Sequence, residues 1–345
     1  MRVLVTGGGG FLGGAIVRKL VGRGDTVVVL SRTATDWHAR LGVSHFAADL
    51  TDTAAVARAA DGCDAVIHVA AKAGVWGPLA EFHRVNVLGT QSVIEACRRA
   101  GVPRLVYTST PSVVHGGASL DGVTEAAPYP AHFDAPYPAT KALAEQAVLA
   151  ANGPTLSTVA LRPHLIWGPG DPHLIPRVLA KARAGKLRRV GSRPVIVDVT
   201  YVENAADAHL LAADRLSPEA ACAGRAYFVT NGEPVELWDF LNRVLAIHGL
   251  PPVTRSVPVW AARLAGATLE AAYRLTRRVT EPPLTRFVAA QLSTSHWYDI
   301  TAARRDLGYA PAVSVAEGLR RLAALGSPHA STTIGPDTHT RRATR

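Results

Sequence analysis

Arg2-Val-Leu-Val-Thr-Gly-Gly-Gly-Gly-Phe-Leu-Gly13 decides the reading of this chain. Arg2 to Thr6 is a short apolar run that ends in glycines, as a buried parallel strand does. Gly7, Gly10 and Gly13 have the spacing G-x-x-G-x-x-G, and Phe11 and Leu12 open a helix predicted to run to Gly22. In such a strand–turn–helix unit one glycine permits the tight turn. Another lets the backbone approach a pyrophosphate, and the third lets helix and strand pack closely. The free N–H groups and the positive dipole end of the helix favour phosphate. Its place between a strand and a helix separates this motif from a plain glycine-rich turn.

Working outward, strand-like and helix-like segments alternate. Strands are predicted at 26–30, 65–69, 104–108 and 158–161, and helices at 54–60, 81–100 and 137–151. This order implies right-handed crossovers and an α/β fold with a doubly wound parallel sheet, a Rossmann domain over 1–162. After Pro163 the pattern turns irregular. Short strands are predicted at 198–201 and 226–229, with a segment near 198–230 returning to the main sheet. Helices are predicted at 237–248, 258–275 and 315–324, giving a smaller C-terminal substrate-binding domain over 163–325. Residues 326–345 are rich in Ser, Thr, His, Pro and Gly and are expected to be a disordered tail.

The end of the second strand chooses the cofactor. An acid there binds a ribose 2′-hydroxyl, whereas an Arg accommodates a 2′-phosphate. Leu30-Ser31-Arg32-Thr33 contains no acid, and Asp25 lies at the wrong end of the strand, so Ser31 and Arg32 favour NADPH/NADP+. Taken alone, Arg32 could be an ordinary surface residue; the missing carboxylate is the stronger half of the argument.

Tyr137-Pro-Ala-Thr-Lys141 puts a phenol and an ammonium on one helix face. A free phenol titrates near ~10. A neighbouring ammonium is expected to lower that value and make Tyr137 a general acid or base. Tyr107-Thr-Ser-Thr110 ends a predicted strand at the edge where doubly wound sheets bind ligands. There Ser109 or Thr110 can donate to a substrate carbonyl, or cap the strand end.

Composition narrows the rest. The 345 residues carry 37 Lys+Arg against 27 Asp+Glu, a net charge of +10, and 48% hydrophobic residues exclude disorder for most of the chain. Three cysteines (Cys63, Cys97, Cys222) are too few for a disulfide framework or zinc site, and the 13 histidines show no metal-ligand spacing. No apolar run reaches the ~20 residues of a membrane span, and the N-terminus does not read as a signal peptide. A cytoplasmic protein is expected, with contact at a membrane surface left open. The run Lys181, Arg183, Lys186, Arg188, Arg189, Arg193 has no acid within it. Nucleic acid is not the expected partner, because no binding module or aromatic interleaving accompanies these charges. Residues 258–275 read equally as a wall for alkyl chains, an ordinary amphipathic helix or a membrane contact.

These pieces together resemble an extended short-chain dehydrogenase/reductase. They are the glycine run, Asp49-Leu50, His68-Val-Ala-Ala71, Asn86-Val-Leu-Gly-Thr90, Tyr107-Thr-Ser-Thr110, Tyr137 to Lys141 and Leu161-Arg-Pro163, in family order over about 1–325. Tyr201-Val-Glu-Asn204 and Trp297-Tyr-Asp299 resemble the 3β-hydroxysteroid dehydrogenase branch. Within it, Ala71-Lys-Ala-Gly-Val-Trp-Gly77, Leu165-Ile-Trp-Gly-Pro-Gly-Asp171 and Glu281-Pro-Pro-Leu-Thr-Arg-Phe287 are similar to its NADPH-dependent reductases of 2-alkyl-3-oxoalkanoates, of bacterial olefin and β-lactone biosynthesis.

The resemblance implies roles. Gly7, Gly10 and Gly13 would hold the pyrophosphate, Arg32 the 2′-phosphate, Asp49 and Leu50 the adenine, and Ala70 and Ala71 the path of the ribose. Lys141 would bind the nicotinamide ribose, and Pro163 and His164 would approach the nicotinamide. Asn86 would support the site. Thr110 falls where the family's catalytic hydroxyl sits, with Ser109 just before it. The implied partners are a hydrophobic β-keto acyl substrate, a β-lactone synthetase and other pathway enzymes, and a second copy of the chain. Sterol-carboxylate dehydrogenation, nucleotide-sugar epimerisation and a non-catalytic NADP-binding regulator are the rival readings.

Overall fold

The computed structural model describes residues 1–326. Seven strands form the main sheet: β1 (Arg2–Thr6), β2 (Thr26–Ser31), β3 (Ser44–Ala47), β4 (Ala65–His68), β5 (Arg104–Thr108), β6 (Ser157–Pro163) and β7 (Arg225–Val229). Their order is β7-β6-β5-β4-β1-β2-β3, and every pairing is parallel. Val3, Leu4 and Val5 are all fully buried, because helices cover both faces of the sheet. β1 pairs with both β2 and β4, so the strand order reverses at the end of β1, where the glycines begin.

The helices α1 (Phe11–Gly22), α2 (Thr53–Ala60), α3 (Gly89–Arg99) and α4 (Pro136–Ala150) connect these strands. The chain then leaves through α5 (Leu174–Arg183), returns with α6 (Val202–Arg215) packed on α1, and adds β7 beside β6. α7 (Leu237–Ile247), α8 (Val259–Leu275) and α9 (Val315–Gly326) complete the C-terminal lobe. A second, four-stranded sheet lies there, in the order Val235–Glu236, Ile196–Val197, His296–Tyr298, Leu120–Val123. Its last strand comes from the first half of the chain. The core of the lobe gathers Trp167, Tyr201, Trp238 and Phe240.

Several predicted elements change form. The helix predicted at 81–100 is a one-turn α-helix (Leu79–Phe82), a π-helical segment (His83–Leu88) and α3 in series. The wider π turn holds Asn86, and such insertions collect at functional sites. Of the strand predicted at 198–201 only Thr200–Tyr201 forms; another short strand, Ile196–Val197, lies just before the predicted range, and the two pair in different sheets. Asp198 makes the transfer: its N–H donates to the His296 carbonyl (3.1 Å), and its carboxylate accepts from the Tyr298 N–H (2.8 Å). β3 has no apolar alternation to announce it, because as an edge strand it is mostly exposed. Of the tail expected at 326–345, Gly326 ends α9 and the rest lies outside the described residues.

A buried ion pair fixes α4 on the sheet. Arg162 of β6 donates to both carboxylate oxygens of Glu145 (2.6 and 3.0 Å), and Tyr129 Oη donates to the same carboxylate (2.6 Å). Arg162 and Glu145 are almost completely buried. Removing one partner of such a pair costs about 3–5 kcal/mol, because the other charge stays buried and unpaired. Glu145→Ala is therefore expected to lower the unfolding free energy by about that amount, measured by urea denaturation. A loss under about 1 kcal/mol would show that the pair does not anchor α4.

Candidate active site

The glycine run forms a cradle with no room for side chains at Gly7, Gly8 and Gly13. A Cβ on Gly13 would lie 2.8 Å from the Gly7 carbonyl carbon and closer still to its oxygen. A Cβ on Gly7, whose φ is +70°, would lie 2.9 Å from the Ala70 backbone. α1 starts at Gly10 with no side-chain cap and no acid in its first turn, so its leading N–H groups face outward. These features fit the pyrophosphate of a bound dinucleotide.

Around this cradle stand Ser31 and Arg32, at the end of β2. Arg32 is exposed, and the Ser31 hydroxyl donates to the Thr33 carbonyl (2.9 Å) and meets His45 Nε2 (2.9 Å). Asp49 accepts from the Thr51 N–H and hydroxyl and pairs with Arg84 (3.1 Å), which together hold its carboxyl at about 2. Leu50 is buried against Gly89, and Ala71 is exposed next to Ala70. His38 escaped the sequence reading. It is buried, and its Cε1 would stand 3.7 Å from a Cβ on Gly9.

Tyr137 and Lys141 open α4 where β5 ends. Lys141 is buried; its Nζ donates to the Thr108 carbonyl (2.6 Å) and sits 4.1 Å from the centre of the Tyr107 ring. Burial pushes this ammonium down to about 7, with the Glu145 charge opposing. The expected lowering of Tyr137 does not follow, because desolvation of the phenol is the larger effect. Burial raises the phenol to about 12, and a hydrogen bond with Thr110 offsets part of that rise. Tyr137 is thus protonated at neutral pH, as a general acid must be. Thr110 also caps the turn Pro111–Val113 by accepting from the Ser112 N–H (3.3 Å). Ser109 bonds Leu161 through its N–H (2.6 Å), and its hydroxyl is buried without a hydrogen-bond partner.

Behind these groups runs a buried chain of polar contacts. Thr6 Oγ1 meets His68 Nδ1 (2.7 Å), His68 Nε2 meets Thr90 Oγ1 (3.0 Å), and Thr90 donates to the Asn86 carbonyl (2.6 Å). The Asn86 amide donates to Thr140 Oγ1 (3.0 Å) and to the Lys72 carbonyl (3.1 Å), and its Oδ1 accepts from the Lys72 N–H (2.7 Å). Burial holds His68 down at about 3, so it is neutral. The chain ties the glycine strand to the helix that carries Tyr137.

Pro163 and His164 leave β6 toward the C-terminal lobe, and Leu165 follows in the left-handed region at φ 42°. His296 Nε2 faces the Gln291 carbonyl (3.0 Å), which only accepts, so that nitrogen carries the hydrogen. His296 Nδ1 then accepts from His164 Nε2 (2.7 Å). Burial keeps His164 and His296 neutral. His115 and His296, the other histidines of this cluster, escaped the sequence reading, since they are 181 residues apart in sequence. No group of side chains placed to hold a metal occurs among the described residues.

Between about pH 7 and 10.5 the folded chain holds fewer protons on Lys141 than the unfolded chain does. Stability therefore rises with pH over that window. Lys141→Met removes this rise. The stability difference between wild type and variant is expected to grow by roughly 2 kcal/mol from about pH 7 to about pH 9, by denaturant titration. A flat difference would mean that the amine keeps its proton when buried.

Comparison with known proteins agrees with this fold. Residues 4–259 match the 3-beta hydroxysteroid dehydrogenase/isomerase family. A 2-alkyl-3-oxoalkanoate reductase of Stenotrophomonas maltophilia is 52% identical over 94% of this chain and 99% of its own. One of Shewanella oneidensis is 49% identical, over 94% and 86%. The mouse sterol-4-alpha-carboxylate 3-dehydrogenase is 37% identical, over 93% and 89%. Among solved structures, gox2253 (TM-score 0.75, 26% identity) covers 94% of this chain and 97% of its own. MoeE5 in complex with UDP-glucose and NAD has a TM-score of 0.70 at 27% identity, covering 94% and 98%. No helix among the described residues is long and apolar enough to cross a membrane. The chain is an oxidoreductase of the short-chain dehydrogenase/reductase type and belongs to the 3-beta hydroxysteroid dehydrogenase/isomerase family.

Proposed function

We propose that this chain reduces the 3-keto group of a 2-alkyl-3-oxoalkanoic acid to the 2-alkyl-3-hydroxy acid, with NADPH. The observation that carries the reading is the half-buried Tyr137, its phenol protonated and hydrogen-bonded with Thr110, at the C-terminal edge of the sheet. It stands in a chain 52% identical to a relative named for that substrate. Lys141, Ala70, Ala71, Pro163 and His164 would hold the nicotinamide half, and the glycine cradle the pyrophosphate. A bound NADPH supplies the hydride that reaches C3. Tyr137 and Thr110 orient the substrate oxygen by hydrogen bonds that strengthen as charge develops on it. Tyr137 then gives its proton to that oxygen, completing the alcohol. Lys141, one turn along α4 and a cation on the acid side of about 7, would favour the phenolate left behind.

Of the two hydroxyls, Thr110 is the one assigned to the oxygen, because it meets Tyr137 while Ser109 is enclosed. Thr110→Ala is expected to lower kcat about 100-fold. Tyr137→Phe is expected to remove turnover to the same extent or more, while Ser109→Ala stays within about tenfold of wild type. NADPH oxidation with a 2-alkyl-3-oxoalkanoic acid, beside a 3-ketosteroid, measures all three. Turnover retained in Tyr137→Phe, or a preference for the steroid, overturns the reading.

The cofactor preference rests on Ser31, on Arg32 and on the absence of an acid at the end of β2. Arg32→Ala is expected to raise the KM for NADPH about 10- to 100-fold and leave that for NADH nearly unchanged, as loss of one charged hydrogen bond does. An equal change for both cofactors would assign Arg32 to the general surface.

A further inference from the structure

α8 is built inside out. Its buried residues are Ala262, Gly266 and Glu270, one stripe at i, i+4 and i+8. Gly266 sets how close the helix lies: a Cβ there would stand 2.8 Å from the Arg286 nitrogen and the Thr285 carbonyl carbon. Three large apolar side chains point the other way. Trp260 is 70% exposed, Leu264 57% and Leu275 86%. At 100° per residue these three, with Thr268 and Ala271, fall on one face opposite the buried stripe. Val279, just beyond the helix, is 78% exposed.

The charges beside this face have one sign. Arg263, Arg274, Arg277 and Arg278 are exposed. Glu270 is the only acid from Val259 to Thr280, and it is buried under Arg274 and Arg286. Arg193 adds to the same end of the lobe, since its neighbour Gly191 packs on Val259 and donates to the Val257 carbonyl (2.8 Å). The far end of α8 reaches the loop that follows Ala71. Trp76 Nε1 donates to the Arg278 carbonyl (3.1 Å), and the Trp76 ring lies 6.2 Å from that of Tyr273. Leu79, three residues on, is also exposed.

We propose that α8 and the segment through Val279 are a docking surface for an anionic phospholipid bilayer. Apolar side chains enter the acyl boundary while the flanking arginines meet lipid phosphates, the arrangement of an interfacial helix. The charge favours lipid over a second copy of the chain, whose identical arginines would be brought together at a symmetric interface. The position at the crevice loop means that a docked molecule holds its cofactor cleft next to the membrane. For the β-keto acid proposed above, this is the phase in which a long-chain substrate collects; the docking itself does not rest on that substrate.

Sedimentation of the full chain with vesicles tests it. Wild type is expected to bind phosphatidylcholine vesicles containing phosphatidylglycerol, and not phosphatidylcholine alone. High salt should weaken the binding, and each arginine removed from Arg274, Arg277 and Arg278 by change to Ser should weaken it about fivefold. Trp260→Ser with Leu264→Ser and Leu275→Ser is expected to abolish it. The melting temperature and NADPH oxidation with a short-chain, water-soluble substrate should stay unchanged. Failure of wild type to bind, or binding that survives the triple apolar change, overturns the proposal. So does a dimer in light scattering that the triple apolar change converts to a monomer. Loss of vesicle binding with reduction intact rejects this surface alone, and the reverse rejects the substrate reading alone.

Discussion

One close contact governs the nucleotide half of this molecule: the first turn of α1 lies directly on the end of β1, with Gly13 against the Gly7 carbonyl and Gly7 against Ala70. Only hydrogen fits at these two α-carbons. The contact brings the uncapped N-terminus of α1 to the point where the strand order reverses, and so makes an anion site from backbone alone. β2 and β4 flank β1, and the neighbouring residues Ser31 and Ala70 follow from that register.

The chemistry requires charged and polar groups inside this apolar frame, and each needs a partner there. Lys141 is held by the Thr108 carbonyl and the Tyr107 ring, and Glu145 one turn later meets Arg162 of β6. These contacts fix α4, and with it Tyr137, against the strand that ends in Thr110. The line from Thr6 through His68, Thr90 and Asn86 to Thr140 reaches the same helix from the glycine side. Catalytic helix and nucleotide cradle are thus joined by buried hydrogen bonds as well as by the sheet.

The basic balance divides once the chain is folded. Within 181–193, Lys181 donates to the Pro283 carbonyl (3.2 Å), Arg188 to carbonyls of its own loop, and Arg189 approaches Glu236 (3.6 Å). Arg183, Lys186 and Arg193 remain exposed. The run that stands out in the sequence is therefore partly internal bracing of the lobe. A second cationic surface runs along α8 and past its end, where Arg263, Arg274, Arg277 and Arg278 are exposed.

The sequence by itself determined the doubly wound sheet, the glycine turn, the hydroxyls at the end of β5 and the Tyr137–Lys141 pair. All of these rest on local rules: periodicity, glycine spacing and the i, i+4 face of one helix. Only the tertiary structure decided what depends on burial and on distant neighbours. Burial raised Tyr137 where its helix neighbour alone would lower it, and paired Thr110 rather than Ser109 with the phenol. Long-range packing brought His115, His164 and His296 together and sent Ile196–Val197 and Thr200–Tyr201 into different sheets. It also turned the apolar side of α8 outward, which no amphipathic pattern reveals, because the pattern says which faces differ and not which one meets the core.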